Sequence, residues 1–254
     1  LMPIIRNKTV ASSLTTVLFD LDGTLLPIDG EAFEAIYFKG LSSYFIDRFE
    51  PKEFIKIIWS ATKQMVMDTS SKTNEEVFMD ALKEIVQEDI TWMQERFDRF
   101  YLNEFDQIKL AVTPNESIQK SVKLLKEKGY RCVIATNPMF PKIAIEKRIE
   151  WTGCDRNDFE YVTSFEKNHF CKPQIKFYEE ILSDLRLNVT ECLMVGNDIR
   201  EDMIVSKIGM KSYLITNHII QNEDIPEYVN YSGSYDDFLN FVQQLEPIQQ
   251  YVLF

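Results

Sequence analysis

Two spacings of apolar residues divide the chain into distinct stretches. Between residues 30 and 108, apolar residues recur three or four positions apart, which is the spacing of helices with one buried face. Before and after this stretch, short apolar runs alternate with helical patterns, which predicts strands covered by helices. The pattern therefore predicts an α/β protein with a helical segment inserted near its beginning.

The inserted stretch is expected to form four amphipathic helices. Its breaks are Pro51, a Thr-Ser-Ser cluster at residues 69–71, and Asn74, which we expect to be the N-cap of the third helix. We expect residues 28–109 to form a helical cap, and residues 1–27 and 110–254 to form one core domain. The two short crossings between them predict a hinge, so that the cap acts as a lid.

Strands and helices alternate in the remaining chain. The strands are predicted over residues 14–19, 131–135, 161–163, 192–195 and 212–215. The helices are predicted over residues 116–128, 141–151, 174–185, 201–208 and 235–245. This alternation favours right-handed crossovers and a parallel sheet with helices on both faces. The ligand crevice of such a sheet lies at the carboxyl ends of its strands.

Composition and charge indicate which kinds of molecule this protein is expected to bind. The net charge of −12 is spread along the chain, which disfavours nucleic acid and anionic membranes. No run approaches the roughly 20 apolar residues of a membrane span, and residues 1–13 lack the apolar core of a signal peptide, so we expect a cytoplasmic protein. The four cysteines form no CxxC pair, and we expect them to be reduced and mostly buried. An anionic small substrate stays possible if a local cation binds it.

Polar side chains stand where the predicted strands end. In chain order they are Asp20, Asp22, Gly23 and Thr24, then Thr136 and Asn137, then Lys172 before Pro173, and finally Gly196-Asn197-Asp198 with Asp202. Because the carboxyl ends of parallel strands share one edge of a sheet, a site is expected there.

This ordered set resembles the motifs of the haloacid dehalogenase-like hydrolase superfamily, in its phosphatase branch with an inserted helical cap, similar to phosphoglycolate phosphatases. The resemblance covers most of the chain. It implies a Rossmann-like three-layer α/β/α core with a parallel sheet and an all-α, four-helix cap. It also implies a Mg²⁺ ion held by the carboxylates of Asp20 and Asp198 and the main-chain carbonyl of Asp22. Many relatives have Gly-Asp-Asp or Gly-Asp-Ser where this chain has Gly196-Asn197-Asp198. Asn197 removes one negative charge from the site while Asp198 stays, so we expect Mg²⁺ to bind, but more weakly.

The chemistry of these residues supports the same interpretation. Asp20 can attack phosphorus as a nucleophile, and Asp22 can protonate the leaving oxygen and later deprotonate water. Lys172 supplies a cation, while the Thr136 hydroxyl and the N–H groups of residues 21–23 can hold phosphoryl oxygens. A halide leaves without a proton, so the acid at position 22 favours phosphoester chemistry over carbon–halogen cleavage.

Some assignments stay open at this point. Substrate contacts are expected from Leu21, Gly23, Thr24 and Asn137, although Asn137 is equally suited to shape the turn before Pro138. Asp202 is expected to orient water or Lys172 rather than to bind metal directly. Lys167 competes with Lys172 for the role of the cation, and His169 is expected to be bonded locally.

We therefore expect a Mg²⁺-dependent phosphohydrolase acting on a small phosphorylated metabolite. The alternatives are a phosphomutase acting on a sugar phosphate and a non-catalytic ligand-binding protein of the same fold.

Overall fold

The structure, a computed structural model, describes residues 14–221 and 224–248. A six-stranded parallel sheet runs through this part of the chain. Its strands are β1 (Thr16–Phe19), β2 (Arg131–Ile134), β3 (Tyr161–Val162), β4 (Cys192–Gly196), β5 (Lys211–Ile215) and β6 (Tyr231–Gly233). Their order is β3-β2-β1-β4-β5-β6, and every neighbouring pair is parallel. The predicted parallel sheet is confirmed. The expectation about a leader in residues 1–13 and the end of the predicted core domain at residues 249–254 lie outside the described residues.

Eight α-helices accompany the sheet within the same residues. They are α1 (Gly30–Ser43), α2 (Pro51–Met67), α3 (Asn74–Val86), α4 (Thr91–Asn103), α5 (Glu116–Glu127), α6 (Lys142–Thr152), α7 (Ile175–Leu185) and α8 (Tyr235–Gln244). Two longer 3₁₀ segments cover Phe105–Ala111 and Met203–Ile208. None of these helices, as far as the chain is described, is both long and apolar enough to cross a bilayer.

Alternate residues of each strand face opposite layers, as the two-residue period of a strand requires. Val17 and Phe19 pack in one apolar cluster with residues of α5, α6 and α8, and the Phe19 ring meets Phe238 edge-on at 6.0 Å. Leu18 packs in a second cluster with α7 residues, among them Phe177. The sheet is therefore the middle layer of an α/β/α arrangement, as predicted.

The central position of β1 determines where the site lies. From β1 the later strands extend to both sides, β2 and β3 on one and β4 to β6 on the other. Strand ends are level across this centre, because the Asp20 N–H donates to the Val195 carbonyl at 2.9 Å and the Ala135 N–H donates to the Phe19 carbonyl at 2.7 Å. The residues that follow β1, β2 and β4 consequently emerge side by side at a topological switch point.

The four inserted helices form as the spacing predicts, and their starts have identifiable caps. Asp29 accepts the Ala32 N–H at the start of α1, and Pro51 occupies the first turn of α2. The N-cap predicted for α3 is wrong by one residue. Thr73 is the cap, because its hydroxyl and the Glu76 carboxylate form a reciprocal capping box.

Asn74 instead links the inserted helices to the sheet. Its buried side-chain amide donates to the Pro138 carbonyl at 3.2 Å, in the loop after β2. The two chain crossings also lie side by side, since Ile28 and Val112 form an antiparallel bridge flanked by a 3.0 Å bond from Asp29 N–H to Ala111 carbonyl. The exact cap boundary at residues 28 and 109 stays a prediction.

Two elements differ from the predicted pattern. Residues 201–208 form a turn and a 3₁₀ segment instead of an α-helix. The Asp198 carboxylate accepts the N–H groups of Arg200 and Glu201 at the start of this turn. Strand β6 was not predicted, since Tyr231-Ser232-Gly233 contains no apolar run. Its order comes from pairing with β5 at the edge of the sheet.

Candidate active site

A buried ion cluster lies at the carboxyl end of β1. Nζ of Lys172 is 2.8 Å from Oδ1 of Asp20 and 2.6 Å from Oδ1 of Asp202, and the three side chains are 1%, 13% and 1% exposed. Lys172 reaches this point from the connection between β3 and α7. Lys167 instead pairs with Asp184 at the surface, 3.2 Å away. The structure thus places Lys172, and not Lys167, beside Asp20.

The charges of this cluster depend on each other. Burial alone would lower the pKa of Lys172, but the carboxylates of Asp20 and Asp202 raise it well above its ordinary value, so the ammonium stays protonated. Burial raises the pKa of both Asp20 and Asp202, and the Lys172 ammonium opposes that shift. Two buried carboxylates share one cation, so the cluster favours binding of a further cation.

Asn137 fixes the main chain of Lys172. Its Oδ1 accepts the Lys172 N–H at 3.1 Å, and its amide nitrogen lies 3.4 Å from the Lys172 carbonyl and 3.3 Å from Oε2 of Glu201. The observed contacts are those of a residue that shapes the site. A direct contact of Asn137 with substrate stays a prediction.

Asp202 joins Lys172 to the turn that follows β4. Its Oδ2 accepts the N–H groups of Asn197 and Asp198, each at 3.1 Å. A Cβ atom on Gly196 would lie 2.2 Å from this oxygen, so only glycine allows Asp202 to approach so closely. The contacts agree with the predicted use of Asp202 to orient Lys172.

In the turn after β1, some main-chain N–H groups bond within the turn and others have no main-chain partner in the described chain. Gly23 has a φ of +81° and donates its N–H to the Leu26 carbonyl at 2.8 Å. This amide is therefore committed to the turn, in contrast to the phosphoryl contact expected of it. Among the described residues, the N–H groups of Leu21 and Asp22 have no main-chain partner, and they stay available to an anion.

Thr24 and Asn197 connect the turns after β1 and β4. The buried Thr24 hydroxyl donates to Oδ1 of Asn197 at 3.1 Å, and the Asn197 amide nitrogen donates to the His218 carbonyl at 2.7 Å. Tyr235 adds a 3.1 Å bond from its hydroxyl to the Gly23 carbonyl. Thr24 is thus observed to support the turn, and its predicted substrate contact is not tested.

Thr136 and His169, two further residues considered in the sequence analysis, have few or no side-chain hydrogen bonds in the described residues. Thr136 is 3% exposed at the end of β2, and its hydroxyl has no hydrogen-bond partner within the described chain, which leaves it available to a ligand. His169 lies 2.5 Å from a Glu180 oxygen through Nδ1, the local bonding expected for it.

Sequence reasoning missed two charged residues near the site. Arg148 of α6 is buried and bonds through Nη1 to Oδ2 of Asp22. The available signal was its position on the apolar stripe of α6, between Ala144 and Ile149. Glu201 is the second: burial raises its pKa to about 7, and the neighbouring carboxylates contribute to the shift.

The donor set fits a magnesium ion. Oδ1 of Asp198 accepts three N–H groups, from Arg200, Glu201 and the Gln221 side chain, at 2.7–2.9 Å. Oδ2 of Asp198 and Oδ2 of Asp20 have no hydrogen-bond partner in the described residues, and Mg²⁺ prefers such carboxylate oxygens together with water and phosphate. Among the described residues, no three His, Cys, Asp or Glu side chains form a group that could hold a metal ion. The main-chain carbonyl of Asp22 stays the predicted third protein ligand.

Comparison with known proteins identifies a family of hydrolases that this chain matches. A family model described as haloacid dehalogenase-like hydrolase matches residues 14–207. Pyrophosphatase PpaX of Bacillus pumilus is 24% identical over 201 residues, which cover 79% of this chain and 82% of that protein.

Solved structures share the fold at low sequence identity. A predicted phosphoglycolate phosphatase from Haemophilus somnus matches with a TM-score of 0.57 and 15% identity, covering 91% of this chain and 99% of the other. The putative hydrolase YfnB from Bacillus subtilis, bound to magnesium, matches with a TM-score of 0.54 and 16% identity over the same shares.

Proposed function

This chain belongs to the haloacid dehalogenase-like hydrolase family, and we propose that it is a Mg²⁺-dependent phosphohydrolase that removes phosphate from a small metabolite through an aspartyl-phosphate on Asp20. The observation that carries the proposal is the state of the Asp20 carboxylate. Lys172 holds Oδ1 at 2.8 Å, while Oδ2 has no hydrogen-bond partner in the described residues. One oxygen is fixed and the other is available as an oriented nucleophile.

In the first step, Oδ2 of Asp20 attacks phosphorus and the bond from phosphorus to the leaving oxygen breaks. The leaving oxygen takes a proton from the Asp22 carboxyl group. The products of this step are an aspartyl-phosphate on Asp20, an Asp22 carboxylate and the neutral leaving alcohol.

In the second step, water attacks phosphorus and the bond between phosphorus and Asp20 breaks. The Asp22 carboxylate accepts the proton that the water loses, which returns it to its starting state. Inorganic phosphate leaves and the Asp20 carboxylate is restored, so atoms and charges balance over the cycle.

The surrounding groups stabilise negative charge on the phosphoryl oxygens. The Lys172 ammonium, the Thr136 hydroxyl and the N–H groups of Leu21 and Asp22 are the donors in reach of the strand ends. The carboxylates of Asp20 and Asp198 and the Asp22 carbonyl would hold Mg²⁺, which when bound offsets the repulsion between the Asp20 carboxylate and the phosphate.

The similarity to a pyrophosphatase and to a predicted phosphoglycolate phosphatase supports a small phosphorylated substrate. The spread of negative charge makes nucleic acid and anionic membranes poor partners. We place this activity in the cytoplasm, on the basis of the sequence.

The experiment that tests the proposal measures phosphate release from a broad panel of phosphorylated metabolites, with and without Mg²⁺. Asp20→Asn is the control. We expect release that needs both the metal and Asp20. Isomerised product without free phosphate would favour a phosphomutase, and no reaction with any compound would favour a binding role.

A further inference from the structure

A buried arginine contacts the side chain assigned to proton transfer. Nη1 of Arg148, in α6, forms an ion pair with Oδ2 of Asp22. The Arg148 side chain is 1% exposed, while that of Asp22 is 35% exposed. Asp22 therefore stands between a buried cation and the accessible part of the site.

The Arg148 guanidinium has little freedom to move. Its Nε donates to the Ala144 carbonyl at 3.2 Å, one helical turn earlier, and its central carbon lies 4.7 Å above the centre of the Phe140 ring. Asp22 is the one carboxylate that pairs with it in the described residues. The orientation of Arg148 is thus determined by α6 and the loop after β2, and not by Asp22.

The pairing uses only one oxygen of Asp22. A side-by-side arrangement of guanidinium and carboxylate would form two parallel bonds. Here Oδ1 of Asp22 and Nη2 of Arg148 are both buried, and neither has a hydrogen-bond partner in the described residues. An unpaired buried polar atom costs about 1–3 kcal/mol, so atoms of this kind call for a functional explanation.

We propose that Arg148 is a positioning residue for Asp22. It holds Oδ2, and so keeps the carboxyl group of Asp22 in one orientation for proton exchange with the leaving-group oxygen. This inference rests on the proposed function, in which Asp22 is the general acid and base. Arg148 itself acts through Asp22, and it has no hydrogen bond or ion pair with Asp20 in the described part of the chain.

A positioning role has a consequence that a purely structural ion pair lacks. An alkoxide is a poor leaving group and needs the proton from Asp22, whereas a nitrophenolate leaves without it. Misplacing Asp22 should therefore slow the first step, release of the leaving group, much more for an alkyl phosphate than for p-nitrophenyl phosphate. The second step, in which Asp22 accepts a proton from water, is common to both substrates. General loss of structure would slow both reactions equally.

The test compares the two substrates in wild type, Arg148→Met and Arg148→Lys. For Arg148→Met we expect the first-turnover rate of leaving-group release to fall by about 10²-fold or more for the alkyl phosphate and by less than about 10-fold for p-nitrophenyl phosphate, with KM nearly unchanged. Arg148→Lys keeps a cation and should recover part of the loss on the alkyl phosphate. Arg156→Gln, at an arginine that is 42% exposed and pairs with Glu146, is the matched control and should change neither rate.

Thermal unfolding shows whether each variant is folded, and Arg148→Lys supports the comparison if Arg148→Met does not fold. In an Asp22→Asn background, we expect Arg148→Lys to cause no further loss, because its effect passes through Asp22.

Equal losses in the first-turnover rate on both substrates, or a full additional loss in the Asp22→Asn background, would overturn the role of Arg148 alone. If wild type released phosphate from neither the metabolite panel nor these substrates, the proposed function would fail and this role with it.

Discussion

The Lys172 ammonium lies 2.8 Å from the Asp20 carboxylate, although 152 residues separate the two in sequence. The contact joins the connection before α7 to the end of β1. It also makes the stability of the fold depend on a residue of the site, because both side chains are buried. Changes to this ion cluster should therefore alter activity and folding together.

Replacing Lys172 with Met should abolish most of the activity and destabilise the protein. Two buried carboxylates, Asp20 and Asp202, would lose their shared cation, and breaking such a pair costs about 3–5 kcal/mol. Urea unfolding and phosphate release measure the two effects. Lys167→Met is the control: its exposed pair with Asp184 is worth at most about 1 kcal/mol, and activity should persist. The reverse ranking of the two variants would show that the wrong lysine has been assigned.

Replacing Gly196 with Ala should disrupt the site although no charged residue is replaced. The new Cβ would lie 2.2 Å from Oδ2 of Asp202, and the displaced Asp202 would release Lys172. We expect a loss of about 1–3 kcal/mol in unfolding free energy and a large loss of kcat. Gly30→Ala is the matched control, because a Cβ there meets nothing within 4 Å and alanine favours the helix. Normal kcat in the Gly196 variant would contradict the tight packing described for Asp202.

Replacing Thr24 with Val distinguishes the predicted substrate contact from the observed support of the turn. The change leaves Oδ1 of Asn197 without its hydroxyl donor, so unfolding free energy should fall by about 1 kcal/mol. We expect KM to stay close to that of wild type. A large rise in KM at unchanged stability would instead show that Thr24 contacts substrate.

Magnesium should stabilise the folded protein through Asp198. A ligand that binds only the folded state raises its stability by about 2.7 kcal/mol at a concentration 100 times Kd. We therefore expect Mg²⁺ to raise Tm for wild type but not for Asp198→Asn, whose Oδ1 can still accept the three N–H groups. Asp80→Asn, at an exposed ion pair with Lys72, should respond like wild type. An equal rise in Tm for all three proteins would place the metal elsewhere.

The central arrangement of the fold and site could be predicted from the sequence because it depends on local order along the chain. Asp20 and Thr136 each follow an apolar run directly, Asp198 follows one after Gly196-Asn197, and a parallel sheet brings such strand ends to one edge. The helices inserted after β1 were predictable for the same reason, since their apolar spacing is regular over many turns.

The remaining contacts depend on long-range packing that no local pattern encodes. The pair of Arg148 with Asp22 joins residues 126 positions apart, and the bond of Thr24 with Asn197 joins residues 173 apart. The amide of Gly23 was assigned to a ligand because the sequence does not show that Leu26 returns to accept it. The Asn137 amide can both donate and accept hydrogen bonds, and the sequence does not show which partners it has. Only the tertiary structure determines them.

The most direct test of the central claim is a rapid-quench experiment that identifies the phosphorylated residue by mass spectrometry. Enzyme and a substrate from the panel are mixed with Mg²⁺, stopped in acid within the first turnover, and digested. We predict a phosphoryl group on Asp20 that appears before free phosphate and disappears when substrate is exhausted, and no such group in Asp20→Asn. Phosphate release within the first turnover with Asp20 unmodified would contradict the account.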